Sequence, residues 1–302
     1  MSSSATPWTL PHSPPPRPRR PPVPEFDTIE TIGHSVIQHG PCNQRIYLMK
    51  ANADDLPGLI DRLDALAKER GYTKIFAKVP APMEGDFIAR EYLPEANIPR
   101  YYRGETDAVF LGRFLSPERA QERHAEEIAR NLALAKEKAG QGLSAPPLER
   151  AEIFETTPGD AEAMAEVYRE VFETYPFPIH DPEYLRETMR THVRYFGVRE
   201  EGRLVALASA EMDHEALSVE MTDFATLPSH RGRGFAVALL QVMEAAMREG
   251  PMRTACTIAR ALSAGMNITF AKLGYEHSGT LTNNTDICGR IESMNIWHRS
   301  LS

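Results

Sequence analysis

The run Arg231-Gly232-Arg233-Gly234-Phe235-Ala236 decides how the rest of the chain is read. It follows a β-like stretch at 217–227 and opens an apolar helical pattern in which Phe235, Leu239, Val242, Met243 and Ala246 share one face. A glycine turn at such a junction leaves backbone N–H groups without internal acceptors at a helix N-terminus, where they suit a pyrophosphate. Two glycines also serve turn geometry alone, so the surroundings have to separate the kinds of phosphate binder. A dinucleotide fingerprint opens a βαβ unit and wants an acid about 20 residues later, while a Walker loop ends in Lys and then Ser or Thr. Gly234 is followed by Phe235 and Ala236, late in its domain, and fits neither.

Upstream of the turn the patterns predict a strand at 149–155, helices at 158–174 and 182–191, and strands at 193–199 and 204–212 that turn at Gly202. Downstream they predict a strand at 253–259, a helix at 263–273, and strands at 275–280 and 292–297. This is an α/β fold with a mixed sheet and helices on both faces.

Residues 1–24, rich in Ser, Pro and Arg, are expected to be a disordered tail, with a polyproline II ligand as the sharper alternative. Residues 25–115 read as a smaller α/β domain: a strand at 45–49, a helix at 55–70 stopped by Gly71, a strand at 74–79 and a strand pair at 98–114 turning at Gly104. Ser116 and Pro117 supply an N-cap and a first-turn proline for one charged helix ending near Gly140, and 116–147 is the connecting segment. Residues 148–302 form the second domain. The order of elements at 71–114 is repeated at 254–297, with Tyr92 in the place of Tyr275, which reads either as a degenerate repeat or as chance similarity.

The bulk numbers allow two ordinary domains: 302 residues, 42% of them hydrophobic. A net charge of −8 gives no electrostatic reason to expect nucleic acid and is compatible with a cationic small substrate. Cys42, Cys256 and Cys288 have neither disulfide-framework nor zinc spacing, and His180, His192, His214 and His230 are scattered, so no metal site is expected. No stretch approaches the roughly 18 apolar residues of a membrane span, and the N-terminus has no signal-peptide core, so the protein is read as cytoplasmic.

The order and spacing around the turn resemble the GNAT acetyltransferase superfamily, whose motif is Arg or Gln, two residues, Gly, one residue, then Gly or Ala. Arg231, Gly234 and Ala236 match it, and Asn267, Gly274 and Tyr275 match the family's second signature. Several segments narrow the resemblance to the β-lysine N-acetyltransferases: MTDFAT (221–226), TIARA (257–261), GMN (265–267), GTLTNNT (279–285), ESMNIW (292–297), and in the first half IYLMK (46–50) and KIFAK (74–78). The resemblance implies a GNAT-type, mostly antiparallel mixed sheet, with the first domain open to being a degenerate GNAT-like half. It also implies acetyl-CoA as the only required cofactor and Nε-acetyl-β-lysine, a compatible solute, as product.

Under that resemblance the cradle is Arg231, Gly232, Arg233, Gly234, Phe235 and Ala236. The strand end Phe224, Ala225 and Thr226 would pair with the pantetheine amides, with Asn267 and Phe270 also on the cofactor side. An alkylammonium of pKa near 10.4 is neutral in only about one molecule in two thousand at pH 7, so a base is needed. Counting back from Arg231, Glu220 occupies the position of the glutamate base in the histone-modifying branch. Asp223 is the other candidate and, by simple alternation, points to the opposite face. Phe270 stands where many members carry a tyrosine that protonates the leaving thiolate; Tyr275 is a substitute donor or a core residue. For the acceptor the candidates are Arg260, Asn283, Asn284, Asp286 and Glu292, although the Asn-Asn-Thr-Asp run also reads as a turn. Another small cationic amine as acceptor, or a catalytically silent acyl-CoA-binding sensor, are the competing readings.

Overall fold

The computed structural model describes residues 27–141 and 151–301, so the Pro-rich tail and most of the Gly-Ser-Pro linker lie outside the described residues. The first half runs β1 (Thr28–Ile32), β2 (Ser35–Gly40), β3 (Arg45–Lys50), α1 (Gly58–Arg70), β4 (Lys74–Pro80), α2 (Glu84–Ile88), β5 (Leu93–Tyr102) and β6 (Thr106–Phe114). Two helices follow, α3 (Pro117–Ala120) and α4 (Ala125–Glu137). The second half runs β7 (Ala151–Glu155), α5 (Ala161–Val171), α6 (Pro182–Thr191), β8 (Val193–Glu200), β9 (Arg203–Asp213) and β10 (Ser218–Thr226). It ends with α7 (Phe235–Arg248), β11 (Thr254–Arg260), α8 (Ala264–Lys272), β12 (Glu276–Ile287) and β13 (Arg290–Ser300).

Local chemistry explains most boundaries. Gly71 closes α1 in the left-handed conformation, its N–H bonded to the carbonyls of Ala67 and Lys68. Asp181 caps α6 through the N–H of Glu183, with Pro182 in the first turn.

The structure departs from the sequence reading in three places. The single helix expected from Ser116 to Gly140 is interrupted after Ala120, because the Asn283 amide takes the carbonyls of Arg119 and Gln121 at 2.9 Å each. The hairpin β1–β2 was not anticipated. And 282–286 is no turn: β12 runs through it as a bulge, with Asn283 at φ +44°, and the chain reverses at Cys288 and Gly289.

The thirteen strands of the described residues form one sheet in the order β1-β2-β3-β4-β6-β5-β12-β13-β11-β10-β9-β8-β7. The order is symmetric about the β5–β12 junction: β3 lies parallel to β4 as β10 lies parallel to β11, and every other pair is antiparallel. The elements from β1 to β6 therefore repeat the order and pairing of β8 to β13.

Gly279 makes the junction possible. It pairs with Ala96, and a Cβ there would lie 2.1 Å from the Glu95 carbonyl oxygen. Buried cations line the rest of the seam. Lys74 Nζ, fully buried, donates to Glu95 and, at 2.8 Å, to the Thr282 carbonyl, while Arg119 donates to the carbonyls of Asn283 and Asn43. Each half has its own apolar core, and a third cluster crosses the seam, joining Tyr47, Phe76 and Ile98 to Leu281, Met294 and Ile296.

The two halves also touch away from the seam. Arg103 N–H donates to the Ala216 carbonyl, Lys50 pairs with Asp213 at 3.5 Å, and the Gln38 amide reaches the Pro176 carbonyl. The face carrying β2, β3 and β4 is thereby turned toward β9 and β10, and a cleft of about 670 Å³ lies between them.

Candidate active site

The cleft opens where two parallel strands part. β10 and β11 pair only from Ser218 with Thr254 to Glu220 with Cys256, although β10 continues to Thr226 and β11 to Arg260. The fork leaves the edge of β10 from Met221 onward without a strand partner on the β11 side. Phe224 and Thr226 line the cleft, while the Ala225 side chain is buried in the core and its backbone pairs with β9.

Below the fork the chain turns through Arg231–Ala236, all six of which line the cleft. Gly232 (φ +77°) and Gly234 (φ +79°) both occupy left-handed backbone, which explains the residue type at each. Gly234 is the N-cap of α7, and among the described residues no side-chain cap bonds the first amides of that helix. Uncapped amides at a helix N-terminus are the groups that hold an anion. Arg231 instead bonds the Thr226 carbonyl, and Arg233 is held by Glu200 through two bonds of 2.8 and 2.6 Å, so the backbone rather than these guanidinia presents donors to the cleft.

Three carboxylates meet at the fork. Glu220 and Glu211 stand directly opposite each other on β10 and β9, an arrangement that costs energy between like charges unless protons or cations intervene. The Glu211 side chain is 39% exposed. Desolvation pushes Glu220 up to about 8, with Glu211 and Asp223 adding repulsion and Lys78 opposing it. Glu211 rises to about 7, again mainly by desolvation and then by the field of Asp223. Lys78, from β4 of the first half, is the nearby cation; its Nζ donates to the Tyr101 hydroxyl at 3.2 Å and lies over that ring.

Asp223 does not point away from Glu220 as alternation predicts. A bulge between Thr222 and Ala225, with Asp223 at φ +55°, resets the alternation, and Glu220 and Asp223 both line the cleft. Asp223 accepts from Tyr175, from Ser209 at 2.6 Å and from Thr222 at 3.4 Å. Burial raises its pKa against those three bonds. Its oxygens are occupied, whereas the polar neighbour of Glu220 is the Ile258 N–H on the open edge of β11.

The other expected residues divide. Arg260 lines the cleft at the end of β11, clamped by Glu292 at 3.0 and 2.7 Å; Glu292 itself lies outside the cleft and holds Arg290 as well. Asn284 lines the cleft; Asn283 and Asp286 do not, the first being used to break the connecting helix and the second accepting weakly from Thr174. Asn267 is not a cleft residue. Fully buried, it donates to the carbonyls of Arg260 and Ser263 and accepts from Asn295 and Trp297, tying α8 to β11 and β13. Phe270 touches the cleft but is 1% exposed, edge-on to Phe224 and Tyr275. Tyr275 is 2% exposed in the core and lies outside the cleft lining, so it is not placed to protonate a thiolate.

Sequence reasoning missed the first half's wall of the cleft, namely Gln38, Arg45, Tyr47, Met49, Phe76 and Lys78. It also missed Glu211, which was findable: reflecting Glu220 through the hairpin centred at 215–216 lands on it.

The forked strand pair followed by an anion-holding helix N-terminus has a counterpart among known families. Residues 161–275 match the acetyltransferase (GNAT) family, and the chain belongs to it. It is an N-acetyltransferase, a class that takes its acetyl group from acetyl-CoA. The β-lysine N(6)-acetyltransferase of Methanococcus maripaludis is 39% identical over 274 residues, covering 91% of this chain and 99% of the relative. The enzyme of the same name from Methanosarcina mazei is 32% identical over 259 residues, covering 79% and 95%. Among solved structures, an N-acetyltransferase from Staphylococcus aureus Mu50 is 21% identical and covers 50% of this chain and 99% of its own, with a TM-score of 0.45. Among the described residues no helix is long and apolar enough to cross a membrane.

Proposed function

We propose that the protein transfers the acetyl group of acetyl-CoA to the N6 amine of β-lysine. The observation that carries the reading is the fork between β10 and β11, with Glu220 at its apex and the uncapped α7 at its foot. The extent of the match to two enzymes of that name supports the choice of acceptor.

In this reading the amides of residues 232–236 and the α7 dipole hold the pyrophosphate, and the open edge of β10 at 224–226 pairs with the pantetheine amides. The acceptor arrives with two ammonium groups and one carboxylate, a net monocation, beside three carboxylates. Glu220, with a pKa near that of a working base, takes a proton from the N6 ammonium directly or through water. The freed amine attacks the thioester carbonyl, the nitrogen of the tetrahedral adduct gives its second proton to water, and the adduct collapses as the C–S bond breaks and the CoA thiolate departs. A thiol of pKa near 8.5 leaves as its anion without an acid, which is compatible with a phenylalanine at position 270. The amide product has lost one positive charge, so the β-lysine monocation becomes a net-neutral solute.

Thiol release measured with acetyl-CoA and a panel of amines, with mass spectrometry locating the acetyl group, tests this. The expected product from β-lysine is the N6 amide. Preference for a polyamine such as spermidine would sink the acceptor assignment, and CoA binding without thiol release for any amine would sink the reaction.

A further inference from the structure

The cleft has a second polar end that the acetyl transfer just described leaves unused. Gln38 on β2, Arg45 on β3 and Asn284 in the bulge of β12 all line it, and they are 1%, 4% and 1% exposed. Each carries a buried polar atom with no partner among the described residues: Gln38 Oε1, Arg45 Nε and Asn284 Oδ1. Such groups cost about 1–3 kcal/mol each when left unmet, so three around one cavity call for water or a ligand to meet them.

Their layout is ordered. Arg45 Nη1 donates to the Asn284 carbonyl at 2.5 Å and to Thr285 Oγ1 at 3.1 Å, which fixes the guanidinium beside Asn284 while leaving Nε free. Gln38 Nε2 is anchored on the Pro176 carbonyl, so its oxygen is the free atom. Desolvation pulls Arg45 down to about 10 despite Asp27, so a carboxylate arriving there meets a cation short of counter-charge. Between this end and the acids lies an apolar floor: the Arg45 guanidinium sits 5.5 Å from the Tyr47 ring centre, Tyr47 stacks on Phe76, and Tyr47 in turn feels the charge of Glu220.

We propose that Arg45, Gln38 and Asn284 form a headgroup subsite for an amino-acid acceptor. Arg45 holds the carboxylate, the side-chain oxygens of Gln38 and Asn284 take the neighbouring ammonium, and the methylene chain crosses Tyr47 to deliver its distal amine to Glu220. The inference rests on the reading of the chain as an amine acetyltransferase and adds that its first half takes part in selecting the acceptor.

The test is thiol-release kinetics on the full chain with three acceptors: 3,6-diaminohexanoate, pentane-1,4-diamine, which lacks the carboxylate, and 6-aminohexanoate, which lacks the 3-amine. Each deletion is expected to lower kcat/KM by roughly tenfold to a hundredfold or more, mainly through KM, because a buried charged partner is left unmet. Gln38→Met, close in shape, should raise KM for 3,6-diaminohexanoate about tenfold more than for 6-aminohexanoate, a difference that a general loss of folding would not produce. Equal use of all three acceptors, or equal losses in Gln38→Met, would overturn the subsite while leaving the acetyltransferase reading intact. No thiol release from any of the three would remove the reading beneath it.

Discussion

Glu220 is the residue on which chemistry and stability pull in opposite directions. Its carboxyl faces Glu211 across the β9–β10 ladder, and both bind protons far more tightly in the fold than an exposed glutamate does. A base must be deprotonated to work, so kcat/KM should climb as pH rises through about 8; Glu220→Gln should lose at least roughly tenfold in rate and displace that limb upward. For stability the sign is reversed. A carboxyl whose folded pKa is raised favours the fold below the unfolded value and loses that contribution as pH rises through the folded one. Unfolding temperature should therefore decline between about pH 5 and pH 8 in the wild type and decline less in Glu220→Gln, as calorimetry across that range would read. An unchanged pH–rate profile in the variant would remove Glu220 as the base. At this scale the sequence was legible where position follows from counting, which put Glu220 and the glycine turn on what proves to be the cleft lining. It misled where a local irregularity resets the count, as the bulge at Asp223 does. It also misled where a polar residue serves the frame rather than the ligand, as Asn267 does with all of its hydrogen-bonding groups turned inward.

Among the elements, β12 carries the most consequence, because it closes one half and begins the other. Gly279 lies where the strands are too close for a side chain, and Gly279→Val would drive atoms into Glu95 and Ala96. The expected cost is at least about 2–3 kcal/mol, seen as a lower Tm, with the donor cradle itself untouched. A variant as stable as the wild type would mean that the strands can part there without penalty. The elements of the second half could be anticipated because apolar periodicity and turn residues agree along it. The hairpin β1–β2 was missed because TIETIGHSVIQHG spreads its polar residues through both strands: Ser35, Gln38 and His39 are buried by tertiary contacts that no local pattern reveals. The break between α3 and α4 was invisible for the same reason, since its cause, Asn283, lies more than 160 residues away.

For the whole molecule the joining of the halves is the governing fact. A chain limited to residues 148–302 would expose the β12 edge, the seam cluster around Leu281, Met294 and Ile296, and the carbonyls now bound by Lys74, Arg45 and Arg119. It should aggregate or unfold without a cooperative transition, as size-exclusion chromatography and calorimetry would show; a monomeric fragment melting cooperatively would contradict this. The repeated order of elements was legible in outline, through Tyr92 and Tyr275. That the repeat produces one continuous sheet with a shared cleft was not, because a seam of buried cations reads in sequence as ordinary scattered charge. The two-fold arrangement also frees the protein from a constraint that binds any true dimer. Where two identical chains meet, every substitution appears on both sides, so an acceptor wall cannot change without changing the donor wall of its twin. Here the two copies are written in one reading frame and diverge independently: 193–300 can keep its hold on the nucleotide while 28–114 is rewritten to suit a different amine.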